Sequence, residues 1–424
     1  MAGANVINRR VALIGAAGAT GTLLAQGAAA AAVPEIDTGR VQGGRVEFPA
    51  WTAPTERPSG GPPNPMPMGE RVGFAVVGLG RLTLEEILPA FGEAKRSRLV
   101  ALVSGTPDKA ARVAAQYGIR PEAVYDYAGF DRIRDNPDIR VVYVVLPNSM
   151  HKEYTIRAAQ AGKDVLCEKP MAVSSAEGQA MVDACRAAGR KLMIAYRCQY
   201  EPYNREVLRT VREATFGPAR FIDAVNTQNQ GDGAQWRLKR ALAGGGSLPD
   251  IGLYCLNAAR FLTGEEPVEV IARSFSPPGD PRYAEVEETV NFMLRFPGGL
   301  VANCATSYGM HESRFLRVHT PAAAISLDNA FAYQGHRLHV SRRDGRAEAV
   351  EERRIAMQNQ FALEMDHMAE CILSNREPHT PGEEGVQDHR IMEAIYQSAA
   401  SGQPVSLPRV EGLDRTRGPA PSAS

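Results

Sequence analysis

Val72-Gly73-Phe74-Ala75-Val76-Val77-Gly78-Leu79-Gly80 is an apolar run that ends in a glycine turn. Its first six residues carry no charge and read as a strand buried on both faces. Beyond the turn, Leu84, Ile87, Leu88 and Phe91 recur at i, i+3, i+4 and i+7, the spacing of one helical face. Strand, Gly-x-Gly turn and helix together make an anion cradle. The glycines let a pyrophosphate approach the backbone, and free N–H groups at the helix start face it. The third glycine of the common dinucleotide pattern is missing, and Arg81 and Leu82 follow instead. Gly78, Leu79, Gly80, Arg81 and Leu82 are accordingly assigned to a nucleotide.

Working outward, the same rhythm repeats. Residues 99–103 form a second apolar strand. Thr106 caps a helix whose inner face is Ala110, Val113, Ala114 and Tyr117. Residues 141–146 form a strand, followed by a helix through Tyr154 and Ala158. Another strand covers 164–168, and Ser174-Ser175-Ala176-Glu177 is a capping box opening a helix to 188. A last strand covers 191–195. Strands alternating with helices at this spacing predict a parallel, doubly wound sheet over residues 71–196, a Rossmann dinucleotide-binding domain.

After Tyr200 the pattern changes. A helix is expected over 204–214, then strands near 220–227, 268–274, 289–296, 300–306, 315–319 and 323–327. Pro297-Gly298-Gly299 marks a hairpin turn. Two helices follow, one with Phe361, Met365, Met368 and Ile372 on one face, the other carrying Ile391, Ala394 and Ile395. The fold class is therefore α/β, with a second, α+β domain over 197–410 built on a large, open, mostly antiparallel sheet. Residues 411–424, with Pro and Ser, read as a flexible tail.

At the other end, Asn8-Arg9-Arg10 precedes an Ala/Gly-rich apolar run, and A-x-A sites fall at 28–32. Residues 1–33 are expected to be a twin-arginine-type leader, placing the folded protein in the periplasm. An ordinary secretory signal or an uncleaved anchor are the alternatives. Residues 34–70 are Pro-rich, without helical or strand period, and read as an extended arm. No other stretch is apolar and long enough to span a bilayer. Lys+Arg and Asp+Glu balance at 48 each, which argues against a nucleic-acid partner. The six cysteines have no metal-ligand spacing and read as buried thiols, and no metal is expected.

Two further stretches carry chemistry. The second strand ends at Ser104-Gly105-Thr106, where an NAD site would place an acidic residue for the ribose hydroxyl. Hydroxyls, with Lys109 just inside the helix, suit a 2′-phosphate instead, which favours NADP over NAD. The strand 164–168 ends in Cys167-Glu168-Lys169-Pro170. Lysine is costly to bury unless paired, and the X-Pro bond is one of the few that can be cis. Lys169 is thus a candidate for a cleft, or simply a solvated strand end.

Taken together, these motifs resemble the Gfo/Idh/MocA oxidoreductase family. The resemblance rests on Gly78-Leu79-Gly80, on Leu146-Pro147-Asn148 with His151, and on Cys167-Glu168-Lys169-Pro170. Ala243-Gly244-Gly245-Gly246-Ser247 and Asp250-Ile251-Gly252-Leu253-Tyr254 follow in order. Within the family the chain is most similar to the glucose-fructose and aldose-aldose oxidoreductase subgroup. The resemblance implies that Lys169 and Tyr254 are catalytic and that Asp250, Arg197 and Glu168 meet the sugar. It also implies that Ser104, Gly105, Lys109, Leu146, Pro147, Asn148, His151, Glu168, Lys169 and Arg197 join the glycine loop around a tightly held NADP. Trp236-Arg237 matches the subgroup with no assigned role. The partners implied are small sugars and further copies of the chain, as a dimer or tetramer. A phenol titrates near ~10, and Lys169 is expected to lower Tyr254 far enough for it to take a proton. Enclosed export without a cofactor supply fits an enzyme that recycles its own nucleotide.

Overall fold

The computed structural model describes residues 66–231 and 233–421 and two short strands before them. Those strands, β1 (Arg40–Gln42) and β2 (Arg45–Glu47), pair antiparallel. They correct the expectation of an arm without strands. The leader expected at 1–33 lies outside the described residues, as does the rest of the arm up to residue 65.

Residues 72–195 form a six-stranded parallel sheet: β3 (Val72–Val77), β4 (Ser97–Val103), β5 (Val124–Tyr125), β6 (Val141–Val144), β7 (Asp164–Glu168) and β8 (Leu192–Ala195). Their order is β5-β4-β3-β6-β7-β8, so the winding reverses between β3 and β6. Ligands of such sheets sit in the crevice beyond the strand ends at that reversal. All six residues of β3 are buried, as an unbroken apolar run requires. Helices α2 (Pro107–Tyr117), α3 (Asn148–Gln160) and α4 (Ser175–Ala187) complete the crossovers. Ser174 caps α4 by accepting from the Glu177 amide at 3.3 Å, while the Glu177 carboxylate turns away to Lys152 at 2.6 Å.

The segment after the glycine turn departs from the expected helix. Thr83–Ile87 is a π-helical turn, with the Leu88 N–H donating to the Thr83 carbonyl, and only Leu88–Ala90 (α1) is α-helical. The wider turn breaks the 3.6-residue register. Ile87, Leu88 and Phe91 stay buried, but Leu84 turns outward and is 36% exposed.

Residues from 202 onward begin with α5 (Pro202–Arg212) and build a nine-stranded sheet. Its strands are β9 (Phe221–Asn229), β10 (Glu269–Phe275), β11 (Thr289–Arg295), β12 (Val301–Ser307), β13 (Gly309–His319), β14 (Ala323–Asp328), β15 (Arg337–Asp344), β16 (Ala347–Arg353) and β17 (Val405–Ser406). The order is β16-β15-β14-β13-β9-β12-β11-β10-β17, antiparallel except where β9 and β12 run parallel. The turn at 297–299 joins β11 to β12 as expected, with Gly299 at φ +85°. The β15–β16 hairpin was not anticipated, because only Leu338 and Val340 of β15 are buried and the rest of the hairpin is half-buried or exposed, much of it charged. One face of the sheet is apolar, with Val290, Phe292 and Leu294 buried on β11; the other exposes Met293 and Arg295.

Two short helices, α6 (Arg240–Ala243) and α7 (Leu253–Thr263), and two longer ones, α8 (Gln360–Leu373) and α9 (Gly382–Ser401), complete the domain. α8 and α9 also lean on the nucleotide-binding sheet. Asp366 accepts from the Lys95 and Arg96 amides at 2.6 and 2.8 Å, and the Ile194 amide donates to Thr380. Among the described residues no helix is long and apolar enough to cross a membrane. The cysteines are free thiols, five of them buried and Cys198 half-buried.

The expected flexible tail is corrected up to residue 421. Arg417 is buried and donates to Glu384 at 2.8 Å, Thr416 donates to Glu384 at 2.6 Å, and Asp414 pairs with Arg212 at 2.9 Å. A tail rich in Pro and Ser is tied down here by three polar side chains that complete a buried charge cluster.

Candidate active site

The glycine turn lies at the end of β3, beside the reversal point. Gly78 has φ +95°, and a Cβ there would meet the Val145 carbonyl oxygen at 2.1 Å. The fold itself therefore requires this glycine. Gly80 is exposed and a Cβ on it would touch nothing of the protein, only the space over the turn. Its smallness leaves open the cradle in which a pyrophosphate fits. Thr83 braces the turn by donating to the Gly78 carbonyl at 2.7 Å. The residues present thus fit a dinucleotide. Gly78→Ala should cost more than about 1 kcal/mol, from the left-handed backbone and the clash together. Denaturant unfolding with nucleotide content measured in parallel checks this, and both should fall.

At the end of β4, Ser104 is buried and its hydroxyl accepts from the Thr106 amide at 3.2 Å. Gly105 packs on the Tyr127 ring. Lys109 does not stand free beside them; its ammonium donates to the Leu79 carbonyl at 2.9 Å and ties α2 to the glycine turn. Arg81 is exposed and 3.9 Å from Glu85, and Leu82 is half-buried.

The loop after β6 plays a different part from the one expected. Asn148 donates to the Ala243 carbonyl at 2.8 Å and so joins the two domains. His151 is fully buried, with Nδ1 2.9 Å from the Pro170 carbonyl and Nε2 2.8 Å from that of Leu146. Burial lowers its titration to about 4. Asn148 and His151 are therefore braces of the loop holding Leu146 and Pro147, and the assignment of their side chains to the cofactor is corrected.

Strand β7 delivers Lys169, and the Lys169–Pro170 bond is cis. The lysine ammonium reaches across to the other domain. It donates to the Asp250 carbonyl at 2.7 Å and lies 3.4 Å from Asp250 Oδ1. Asp250 sits in a π-helical turn (Leu248–Gly252) that runs into α7, which carries Tyr254. The preceding glycines are needed for packing: a Cβ on Gly246 would meet the Glu287 carbonyl at 2.0 Å. Asp250 Oδ2 accepts from the Tyr308 hydroxyl at 2.7 Å and lies 3.2 Å from Arg237 Nε. Burial would raise this carboxyl. Arg237 and then Lys169, with the Tyr308 hydrogen bond, outweigh burial and hold it at about 2. Asp250 is thus ionised throughout the working range.

This has a consequence for acid stability. A carboxyl lowered from 3.8 to about 2 contributes about 2 kcal/mol that is fully present above the unfolded value. It is lost as pH falls through the folded one. Acid unfolding of Asp250→Asn should lack this steep step at low pH, with the difference from wild type vanishing in strong acid.

Tyr254 departs from expectation. The Lys169 ammonium lies over its ring, 4.6 Å from the centroid, and the Arg197 guanidinium lies 4.8 Å from it. Burial pushes the phenol well above its ordinary range; Arg197 opposes this, while Cys198 and Glu168 reinforce it. The expected lowering by Lys169 is corrected: the cation faces the ring, where it attracts the π-electrons, and desolvation wins. Tyr254 rests as a neutral proton donor.

Arg197 stands behind the site. Its Nη1 donates to Gln360 and the Ala332 carbonyl, its Nη2 to the Phe331 carbonyl at 2.7 Å, and Tyr333 stacks on it at 4.5 Å. Its donor edge faces protein, so it holds Tyr254 from below. Glu168 likewise points inward, accepting from Tyr143 at 2.8 Å and from the Lys169 amide at 3.2 Å. The direct sugar contacts expected of Arg197 and Glu168 are corrected to supporting ones. Tyr308 and Tyr333 were not anticipated. Tyr308 follows β12 with no motif around it, and Arg237 gains its role only from the Asp250 pairing.

A Rossmann sheet with a glycine turn at its reversal point, and a lysine, an ionised aspartate and a neutral tyrosine gathered beyond β7, suits a nucleotide-dependent enzyme that moves protons. Residues 72–196 match the oxidoreductase family with NAD-binding Rossmann fold, GFO/IDH/MocA, and residues 204–326 match the GFO/IDH/MocA C-terminal domain. A D-xylose 1-dehydrogenase [NADP(+)] of Haloarcula marismortui is 31% identical over 346 residues, 79% of this chain and 93% of that protein. A 1,5-anhydro-D-fructose reductase of Ensifer adhaerens is 27% identical over 79% of this chain and 98% of its own length. The crystal structure of an aldose-aldose oxidoreductase from Caulobacter crescentus, complexed with glycerol, superposes with a TM-score of 0.77. It is 47% identical and covers 80% of this chain and 100% of that one. The chain belongs to the Gfo/Idh/MocA oxidoreductase family and is an NAD(P)-dependent sugar oxidoreductase.

Proposed function

We propose that this protein oxidises glucose or another aldose to the aldonolactone and reduces fructose or another sugar to the alditol, on an NADP that it does not release. The observation that carries this reading is Tyr254, kept as a phenol between Lys169 and Arg197 and beside the ionised Asp250. The likeness to an aldose-aldose oxidoreductase along its whole length supports it. The nucleotide supplies the hydride donor and acceptor when bound. Lys169 and Asp250 orient the sugar hydroxyls. Tyr254 gives its proton to the carbonyl oxygen in the reductive half-reaction. The phenolate left behind takes the hydroxyl proton of the aldose in the oxidative half-reaction. The proton, like the hydride, then cycles on the enzyme.

The preference for NADP rests on Ser104, Gly105 and Thr106, with no carboxylate at the end of β4 to repel a 2′-phosphate. Periplasmic residence, through the twin-arginine-type leader at 1–33, supports retention of the nucleotide, because no pool would recharge it there. The half-solvated face of the large sheet, with Phe275 56% and Met293 37% exposed, suits association of copies of the chain. The test is to desalt the purified protein, denature it and identify the released nucleotide. Stoichiometric NADP supports the proposal. An empty protein that turns over one sugar with supplied NADP or NAD makes it a conventional dehydrogenase.

A further inference from the structure

Behind Lys169 lies a buried pair of carboxyls outside the chemistry described so far. The Tyr143 hydroxyl is 2.8 Å from Glu168 Oε1 and 3.1 Å from Glu364 Oε1. Tyr143 and Glu364 are fully buried and Glu168 nearly so. The three come from separate elements: Tyr143 from β6, Glu168 from β7 and Glu364 from α8. A phenol has one proton and can donate to only one of the two oxygens. If both carboxyls were ionised, one carboxylate oxygen would face the phenol's lone pairs with no hydrogen between them. Glu364 Oε2 has no partner among the described residues, which an ionised buried carboxylate could not sustain. The other groups facing Glu364 are Arg197, Cys198 and Tyr200. Arg197, the only cation of these, spends Nη1 and Nη2 on Gln360, Ala332 and Phe331.

We propose that Glu364 is a positioning residue for Lys169: a buried carboxylic acid that donates to Tyr143, which donates in turn to Glu168. The chain leaves one negative charge in place of two behind the lysine and fixes the carboxylate that accepts its backbone amide. The inference rests on the role given above to Lys169, which Lys169→Met tests separately by loss of turnover. Burial raises both carboxyls, Glu364 the further, in keeping with the proton residing there.

The experiment is infrared spectroscopy of the purified protein at neutral pH, comparing wild type with Glu364→Gln and Glu168→Gln. The carbonyl band of a protonated carboxylic acid should vanish in Glu364→Gln and persist in Glu168→Gln. The difference separates it from other buried carboxyls such as Asp388. Glutamine retains an N–H donor for Tyr143, so Glu364→Gln should turn over close to wild type. Glu364→Leu, which cannot donate, should lose roughly tenfold to a hundredfold in kcat through misplacement of Lys169. An unchanged band in Glu364→Gln overturns the proposal. So does a loss in Glu364→Gln as deep as in Glu364→Leu, or full activity in Glu364→Leu.

Discussion

Replacing Tyr254 with Phe is expected to lower turnover by about 10²–10⁴-fold, the range of a lost general acid–base group. The substitution removes only the hydroxyl. The ring keeps its place between the Lys169 ammonium and the Arg197 guanidinium, at 4.6 and 4.8 Å, and beside Phe331 at 5.9 Å. Both ring contacts survive in phenylalanine. The hydroxyl's bond with Arg197 is lost, but Arg197 keeps Gln360, Ala332 and Phe331, so the fold and the bound nucleotide should be unchanged. Loss of turnover in both half-reactions with nucleotide content intact assigns the proton to Tyr254. Retained turnover would return Tyr254 to a packing role and leave Lys169 as the only candidate proton carrier.

The largest effect on stability is expected from Arg260→Leu. Arg260 is fully buried and bridges Glu266, at 2.7 and 2.8 Å, Glu384 at 3.0 Å, and Asp388. Arg417, from the C-terminal segment, is the only other cation bonded to Glu384 among the described residues. Burial alone would raise Glu384; Arg260 and Arg417 outweigh it and hold the carboxyl at about 2. Removing Arg260 leaves Glu266 and Asp388 buried without their cation. Breaking one partner out of such a cluster costs about 3–5 kcal/mol. Denaturant midpoints should fall accordingly. The deficit should shrink as pH is lowered, because protonation of the orphaned carboxyls removes the uncompensated charge. A deficit below about 1 kcal/mol, or one independent of pH, would mean that the cluster is not held by this residue.

How far the site was legible depended on whether local sequence decides what a side chain meets. Gly78 and Gly80 were readable because a turn between a buried strand and a helix start needs small residues whatever follows. Lys169 and Tyr254 were readable because each sits in an ordered motif at the end of one element. Asn148 and His151 have the look of ligand-facing residues, yet their partners are the Leu146 carbonyl of their own loop and the Ala243 and Pro170 carbonyls of other segments. Nothing near residue 148 or 151 in sequence discloses them. Tyr308 and Glu364 are remote from every motif; they meet Asp250 and Tyr143 across separations of 58 and 221 residues. The π-turn at Thr83–Ile87 escaped because its apolar spacing fits an α-helix equally well. The pairing of Asp414, Thr416 and Arg417 escaped because their partners, Arg212 and Glu384, lie far from them in sequence. The lowered tyrosine was misjudged for a geometric reason. Proximity of a cation to an aromatic side chain can be read from a motif, but whether it meets the ring or the hydroxyl cannot.

The measurement that most directly tests the central claim is a single-turnover titration of desalted protein with no added nucleotide. Glucose is added first and the reduced-nicotinamide absorbance followed, then fructose. The account predicts a rise of one equivalent per chain with glucose and its full reversal with fructose, repeatable without loss. No rise with glucose or any other aldose on protein that carries NADP, or a rise that no second sugar reverses, would contradict it.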